Sequence, residues 1–299
     1  MNHFTIKDIE NLCDIKAHTL RIWEQRYELF TPKRKKSLHR IYDNEDLKEL
    51  LRISFLYHSG HKISKIAALT PEEIQQLVEK SSLQKNNQEA YVHQLIEAGI
   101  DFDQEKFEQI INSVIQQVGL ERCIIELFYP FLQRIGLLWM TNNVIPAQEH
   151  FSSHIICKKI IMAIDGLKNI DENLPAILVF TPAGEFHEIP LLAANYFLRK
   201  YNNRTVYFGI NVQQQSVEYY LQHQPVSCVY THVITKLTED GTENYINWLC
   251  KKFPDKNITL SGPAGKCIEQ IPPNLRIIRS VDEMITFAKK RGEEYKLST

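Results

Sequence analysis

The apolar residues of this chain change rhythm twice along its length. From Ile6 to about residue 80 they recur in short helical patterns, broken by turns and by one strongly basic stretch. The middle of the chain keeps helical spacing almost without interruption. It predicts four helices, over about 89–100, 103–118, 120–139 and 146–167. In the third of these, Leu127, Leu132, Ile135 and Leu138 fall on one side, as a helix packed into a core requires. From Pro175 onward, short β-branched runs alternate with helical stretches. Strands are predicted at Ala176–Phe180, Thr205–Gly209, Val226–Val233, Asn257–Leu260 and Arg276–Ile278, with helices near 187–200, 214–223, 241–252 and 281–290. Such alternation predicts a parallel sheet with crossover helices, whose ligands sit beyond the carboxyl ends of the strands.

Two polar stretches divide these zones. Ser81 to Gln88 has little to bury, and Gly, Asn and Asp gather between Gly166 and Pro175. The expected units are therefore 1–80, 85–168 and 174–295, and no internal repeat or low-complexity tract interrupts them. The expected fold class is multidomain, α and α/β: a helix-turn-helix head, a four-helix bundle and an open parallel-sheet, Rossmann-like domain.

Composition narrows the picture. The chain has 299 residues, 43% hydrophobic and 24% charged, which excludes a fibrous or largely disordered protein. No apolar run approaches the roughly 20 residues of a membrane-spanning helix, so no membrane partner is expected. The start, Met1-Asn2-His3-Phe4, shows no basic stretch followed by an apolar run, and the six cysteines form no Cys-x-x-Cys pair. Reduced thiols and a cytoplasmic location are the expectation. No Ser-His-Asp or Cys-His order suited to nucleophilic catalysis stands out, and no phosphate-cradling Gly-rich loop is present, so an enzyme is not expected and no catalytic residue is assigned.

The net charge of −1 hides a local imbalance. Between Lys16 and Arg40 lie Lys16, Arg21, Arg26, Lys33, Arg34, Lys35, Lys36 and Arg40, opposed only by Glu24 and Glu28. Just before this stretch, Thr5 can cap a helix with Asp8 three positions on, and Cys13-Asp14-Ile15 makes a turn into a second helix to about Tyr27. Two short helices joined by about three residues form a helix-turn-helix, whose second helix enters the major groove. On charge alone, the basic stretch suits phosphate contact or a solvated loop equally.

The residues decide between these. Thr19-Leu20-Arg21-Ile22-Trp23-Glu24-Gln25-Arg26-Tyr27, then Pro32-x-Arg34, then His39-Arg40-Ile41-Tyr42 and Asp46-Leu47, resemble the MerR family of regulators over about residues 3–70. The resemblance implies a winged helix-turn-helix that binds near-palindromic double-stranded promoter DNA as a dimer. It implies that Lys16, His18, Thr19, Arg21 and Arg26 belong to the recognition helix and its backbone contacts, and that Arg34, Arg40 and Tyr42 belong to the wing. Leu20 and Trp23 are expected in the core, and Glu28 stands where the family usually has Gly.

In the second half, His187 follows the first strand, where an imidazole can offer one nitrogen to a metal while a carboxylate holds the other. A single loop histidine does not establish such a site. The surrounding pattern carries more. Gly136-x-x-Trp139, Glu149-His150-x-x-Ser153 and Glu185-x-His187-x-x-Pro190 resemble the helical cap and His loop of cobalamin-binding domains. The order of head, cap and α/β fold resembles the light-responsive CarH/LitR regulators, which assemble on DNA with adenosylcobalamin in the dark.

By that resemblance, His187 is the lower axial ligand to cobalt, Glu185 belongs to its loop, Trp139 lies over the upper face, and Glu149 and His150 line the upper pocket. Trp139 also suits a plain buried helix position. Glu185 and Pro190 replace the family's Asp and Gly, and Met140 stands where the photoreceptors have a His. Thr235-Lys236-Leu237 and Ser261-Gly262-Pro263 stand for its Ser-x-Leu and Gly-Gly elements. His150 and His154 are four apart, which alone does not establish a zinc site, and none is expected there. The expected function is a DNA-binding regulator whose sensor binds cobalamin and controls homodimer or higher homo-oligomer assembly. The alternatives are a cobalamin-independent regulator and a corrinoid methyl-transfer component.

Overall fold

The computed structural model describes residues 4–30, 33–34, 40–82, 88–140, 146–168, 170–235 and 241–296. They form two compact units, Met1–Ile155 and Ile156–Thr299.

The first unit opens with α1 (Ile6–Cys13), capped as the sequence predicts: Thr5 and Asp8 exchange side-chain and backbone bonds in a capping box. A turn through Asp14 leads to α2 (Ala17–Tyr27), whose Leu20 and Trp23 are buried. Glu28, in the usual Gly position, ends α2 with φ 50° and donates its N–H to the Glu24 carbonyl. The left-handed turn therefore forms without Gly, against a strain of roughly 1 kcal/mol. The basic ribbon is present as β1 (Lys33–Arg34) and β2 (Arg40–Ile41), paired antiparallel. Then come α3 (Asn44–His58), α4 (Ile63–Ile66) and α5 (Pro71–Ser82). Ser54 Oγ donates to the Cys13 carbonyl, 2.6 Å away, and His58 Nε2 lies 3.1 Å from the same oxygen, so α3 holds the end of α1.

Next come α6 (Gln88–Asp101), α7 (Gln104–Cys123), a π-turn over Ile124–Phe128, α8 (Tyr129–Met140) and α9 (Pro146–Asp165). The expected break between helices at 118–120 is real: Gly119 has φ 78°. Of the apolar stripe, Leu127 and Ile135 are buried. Leu132 is half-buried, and the Leu138 side chain lies outside the described residues.

The second unit is the α/β domain. Its strands are β3 (Ala176–Pro182), β4 (Thr205–Val212), β5 (Val226–His232), β6 (Asn257–Ser261) and β7 (Leu275–Ile278). The helices are α10 (Glu188–Lys200), α11 (Gln214–His223), α12 (Gly241–Lys252) and α13 (Val281–Lys296). The sheet is parallel throughout in the order β4-β3-β5-β6-β7. Every residue of β3 is buried, as a central parallel strand requires. The chain passes from β3 to one side, then returns to place β5 on the other, so the topological switch lies between β3 and β5.

In the helical unit, His93 lies 2% exposed on α6 with Glu89 one turn before it. His93 and then Arg134 hold the Glu89 carboxyl down to about 2, although burial opposes this, while burial lowers the His93 imidazole. Both groups bind protons more readily in the unfolded chain, so stability rises with pH through their range. We expect the helical unit to lose stability as pH falls below the unfolded His value of 6.5, and again from 4.5 towards 2. Glu89→Gln should flatten the acid limb of a pH series of thermal melts; an unchanged limb would contradict this account.

Candidate functional site

Two sites come from this fold. In the head, α2 presents Lys16, His18, Arg21 and Arg26 at its exposed side, with Thr19 half-buried beside them. Exposed basic residues along a helix are the electrostatic footprint for a phosphate backbone. Lys16 also reaches Glu10 at 3.2 Å while remaining 83% exposed.

The wing assignments change. Tyr42 is fully buried: its backbone pairs with Phe4 at 2.8 and 3.0 Å, and its ring meets Phe30 edge-on. It is a core residue that anchors the chain start to the ribbon, so it is corrected from a DNA contact to a structural one. Arg40 donates its Nε to Glu24 at 2.6 Å with its side chain 20% exposed, which ties the ribbon to the recognition helix. Arg34 lies on β1, with its side chain outside the described residues.

The second site lies at the switch of the sheet. β3 ends at Pro182, and the loop to α10 carries Glu185, Phe186 and His187, the last at the helix N-cap. Glu185 is fully buried. Its Oε1 accepts from the His187 amide at 3.0 Å and lies 2.6 Å from His187 Nδ1. Its Oε2 accepts from the amides of Ile234 and Thr235 at 2.6 and 2.8 Å, and from Thr235 Oγ1 at 3.0 Å. One carboxylate thus binds the loop after β3 to the loop after β5. Burial pushes its pKa up, but the donors from His187, Thr235 and Ile234 more than offset this and hold the carboxyl well below the usual range.

The loop backbone is held too. Thr181 Oγ1 and the Asn211 amide donate to the Glu185 carbonyl, and Gly184 donates to Asn211 Oδ1. An ionised Glu185 accepts the Nδ1 proton, which places the imidazole lone pair on Nε2. The His187 side chain is 49% exposed.

The departures from the expected loop are now readable. Pro190 occupies the first turn of α10, where a backbone N–H has no intrahelical partner to lose. Glu185 accepts from Thr235 Oγ1, while Lys236 and Leu237 lie outside the described residues. Gly262 has φ 97°, and a Cβ there would lie 2.4 Å from the Val233 carbonyl oxygen, so the chain itself requires Gly.

Sequence reasoning missed the apolar rim and the polar floor. Phe186 is 63% exposed and Ile234 36% exposed, flanking His187 and Thr235 respectively. Tyr230 Oη donates to Ser261 Oγ at 2.7 Å, which also lies 2.7 Å from His232 Nδ1. Burial lowers the His232 pKa to about 4. Period-two alternation along β5 could have suggested the Tyr230–His232 pair, but not its partner on β6.

In the cap, Glu149 Oε2 lies 2.9 Å from His150 Nδ1, and Ser153 Oγ donates to Glu149 Oε1 at 2.6 Å, so the motif forms one turn of α9. His150 is 79% exposed and Glu149 33%. Trp139 lies on α8 with its side chain, like that of Met140, outside the described residues. Among the described residues no set of three His, Cys, Asp or Glu side chains could hold a metal ion, and no helix is long and apolar enough to cross a membrane.

Comparison with known proteins bears on both halves of the chain. Residues 4–73 match the MerR HTH family regulatory protein family, and residues 91–163 match the B12 binding domain. The HTH-type transcriptional repressor CarH of Myxococcus xanthus is 24% identical over 220 residues, 72% of this chain and 73% of that protein. The repressor CarA of the same organism is 21% identical over 71% of this chain and 70% of its own length. The regulator MlrA of Escherichia coli is 34% identical over 70 residues, 23% of this chain and 29% of that protein. In three dimensions, the monomethylamine corrinoid protein of Methanosarcina barkeri shares the fold over 66% of this chain and 96% of its own, with a TM-score of 0.53 at 13% identity. The chain thus joins a MerR-type helix-turn-helix domain to a B12-binding domain on one polypeptide, and is homologous to the CarH and CarA transcriptional repressors.

Proposed function

We propose that this protein is a cytoplasmic, non-enzymatic regulator that binds double-stranded promoter DNA through α2 and adenosylcobalamin through its second half, with homo-oligomer assembly as the link between them. The buried Glu185 carboxylate, which orients His187 at the sheet's switch point, is the observation that carries this reading.

The residues present fit a corrinoid. Cobalamin, when bound, would supply a cobalt centre able to take an imidazole nitrogen. His187 offers Nε2 for it, Glu185 holds Nδ1, and Phe186 and Ile234 give the loop an apolar rim suited to a macrocycle. His232 Nε2, on the face of β5 that carries Tyr230, is a buried polar atom without a hydrogen bond in the described structure, so a polar group of a ligand has a partner there. Trp139, Glu149 and His150 are proposed as cofactor-binding residues on the likeness of their motifs to those of cobalamin-binding caps. The upper adenosyl group and light as an input rest on the likeness to CarH/LitR regulators. A corrinoid methyl-transfer component is disfavoured by the exposed basic residues of α2, which such a carrier does not need.

A ligand controls DNA occupancy only through different affinities for two assembly states. The cobalamin site is proposed to supply that difference in the second half, while the head contributes phosphate contacts whose strength falls with salt.

Arg21→Ala should weaken DNA binding and lower the salt slope of the affinity by roughly one unit. Titrating labelled promoter DNA at several salt concentrations reads this directly, and an unchanged slope contradicts the contact. His187→Ala should abolish the visible spectrum of histidine-ligated cobalamin. Glu185→Ala, which leaves the imidazole unoriented, should weaken binding by about 10–100-fold. An unchanged spectrum in the first, or unchanged affinity in the second, would overturn the assigned roles.

A further inference from the structure

On α6, Glu89, His93, Glu97 and Asp101 recur every four residues and therefore share one side of the helix. The last two meet α3 of the DNA-reading head. Lys48 Nζ donates to both oxygens of Asp101, at 3.1 and 3.0 Å. Arg52 donates to Glu97 through both Nε and Nη2, at 3.1 and 2.9 Å. Lys48 and Arg52 are themselves four apart, so two successive turns of α3 face two successive turns of α6.

The pairs are well removed from water. Glu97 is 6% exposed and Arg52 22%, with Lys106 of α7 at 3.8 Å completing the charge around Glu97. At the other end of the stripe, Glu89 pairs with Arg134 of α8, and the His93 ring meets Phe55 of α3 edge-on. Paired charges at this depth fix geometry more than they add stability, and a two-pronged Arg–carboxylate contact fixes it in direction as well as distance.

The ladder does not cover the DNA-reading side, because Arg21 and Arg26 on α2 remain exposed. Instead it grips α3, which holds α1 through the Cys13 carbonyl. Its other partners on α6 to α8, from His93 to Arg134, lie within the segment that matches the B12 binding domain. We infer that this ladder of charged pairs is the coupling element that carries cofactor state from the helical segment to the recognition helix, by setting how the head is held. The inference rests on the functional reading above and adds the route by which that reading operates. Side chains locked in discrete pairs shift between arrangements rather than deform gradually, which is what a switch requires.

The test measures the affinity of the full chain for promoter DNA with and without adenosylcobalamin, in the dark. Wild type, R52E, the charge-swapped R52E/E97R and D101N are compared. Asp101 is 46% exposed, so D101N leaves the fold secure. We expect the ratio of the two affinities to fall from the roughly 5-fold or larger change of an allosteric coupling to about 1 in R52E. It should fall part of the way in D101N and return in the charge swap, while cofactor-free R52E still binds DNA. A cobalamin-sensitive wild type whose R52E and D101N variants keep the full ratio overturns the ladder alone. A wild type whose DNA affinity ignores cobalamin overturns the functional reading, and the coupling with it.

Discussion

The α/β half of this protein is organised around one buried carboxylate. Glu185 has no contact with solvent, yet it is surrounded by donors from two loops, and each of its oxygens serves a different strand end. An isolated charge at that depth would be prohibitively costly, so the donors and the carboxylate require one another. The arrangement ties the loops after β3 and β5 together at the point where the sheet reverses its order. It also aligns the His187 ring, because the oxygen that accepts the His187 amide lies beside Nδ1 as well. Fold stability and ligand geometry are therefore properties of the same few atoms.

The helical half relies on charge pairs in a comparable way. Arg40 and Glu24 fasten the ribbon to the recognition helix, and the α6 carboxylates fasten α3 to the bundle. Meanwhile Arg21 and Arg26, the residues suited to phosphate, remain at the surface. Basic residues in one short stretch thus divide between a structural pair, Arg40 with Glu24, and an exposed set that includes Arg21 and Arg26.

Much of this was legible in the sequence. The shift from helical spacing to β-branched runs located the helices and strands to within a few residues, because periodicity reports which side of an element is buried. Thr5 and Asp8 declared their capping box, and Gly119 the break in the bundle, since both are local features. The Glu185-x-His187 spacing pointed to the ring–carboxylate pair for the same reason. Partners distant in sequence were not legible. Tyr42 looked like a DNA-facing wing residue because its burial depends on Phe4 and Phe30, and the Arg40–Glu24 pair forms only after the ribbon folds back. The Lys48–Asp101 and Arg52–Glu97 pairs depend on helix packing that no spacing encodes. Pro190 and Glu28 looked disruptive from the family pattern, whereas the first turn of α10 and a left-handed cap accommodate them.

The central claim is that His187, oriented by Glu185, is the protein's own ligand to cobalt. Electron paramagnetic resonance of cob(II)alamin bound to the full chain tests it most directly, comparing protein of natural isotopic composition with protein labelled with nitrogen-15 at histidine. The account predicts that the triplet splitting from an axial nitrogen-14 becomes a doublet in the labelled protein, because the nucleus bonded to cobalt has changed. A triplet that persists in the labelled protein would mean that the cofactor keeps its own base as ligand, and would contradict the account.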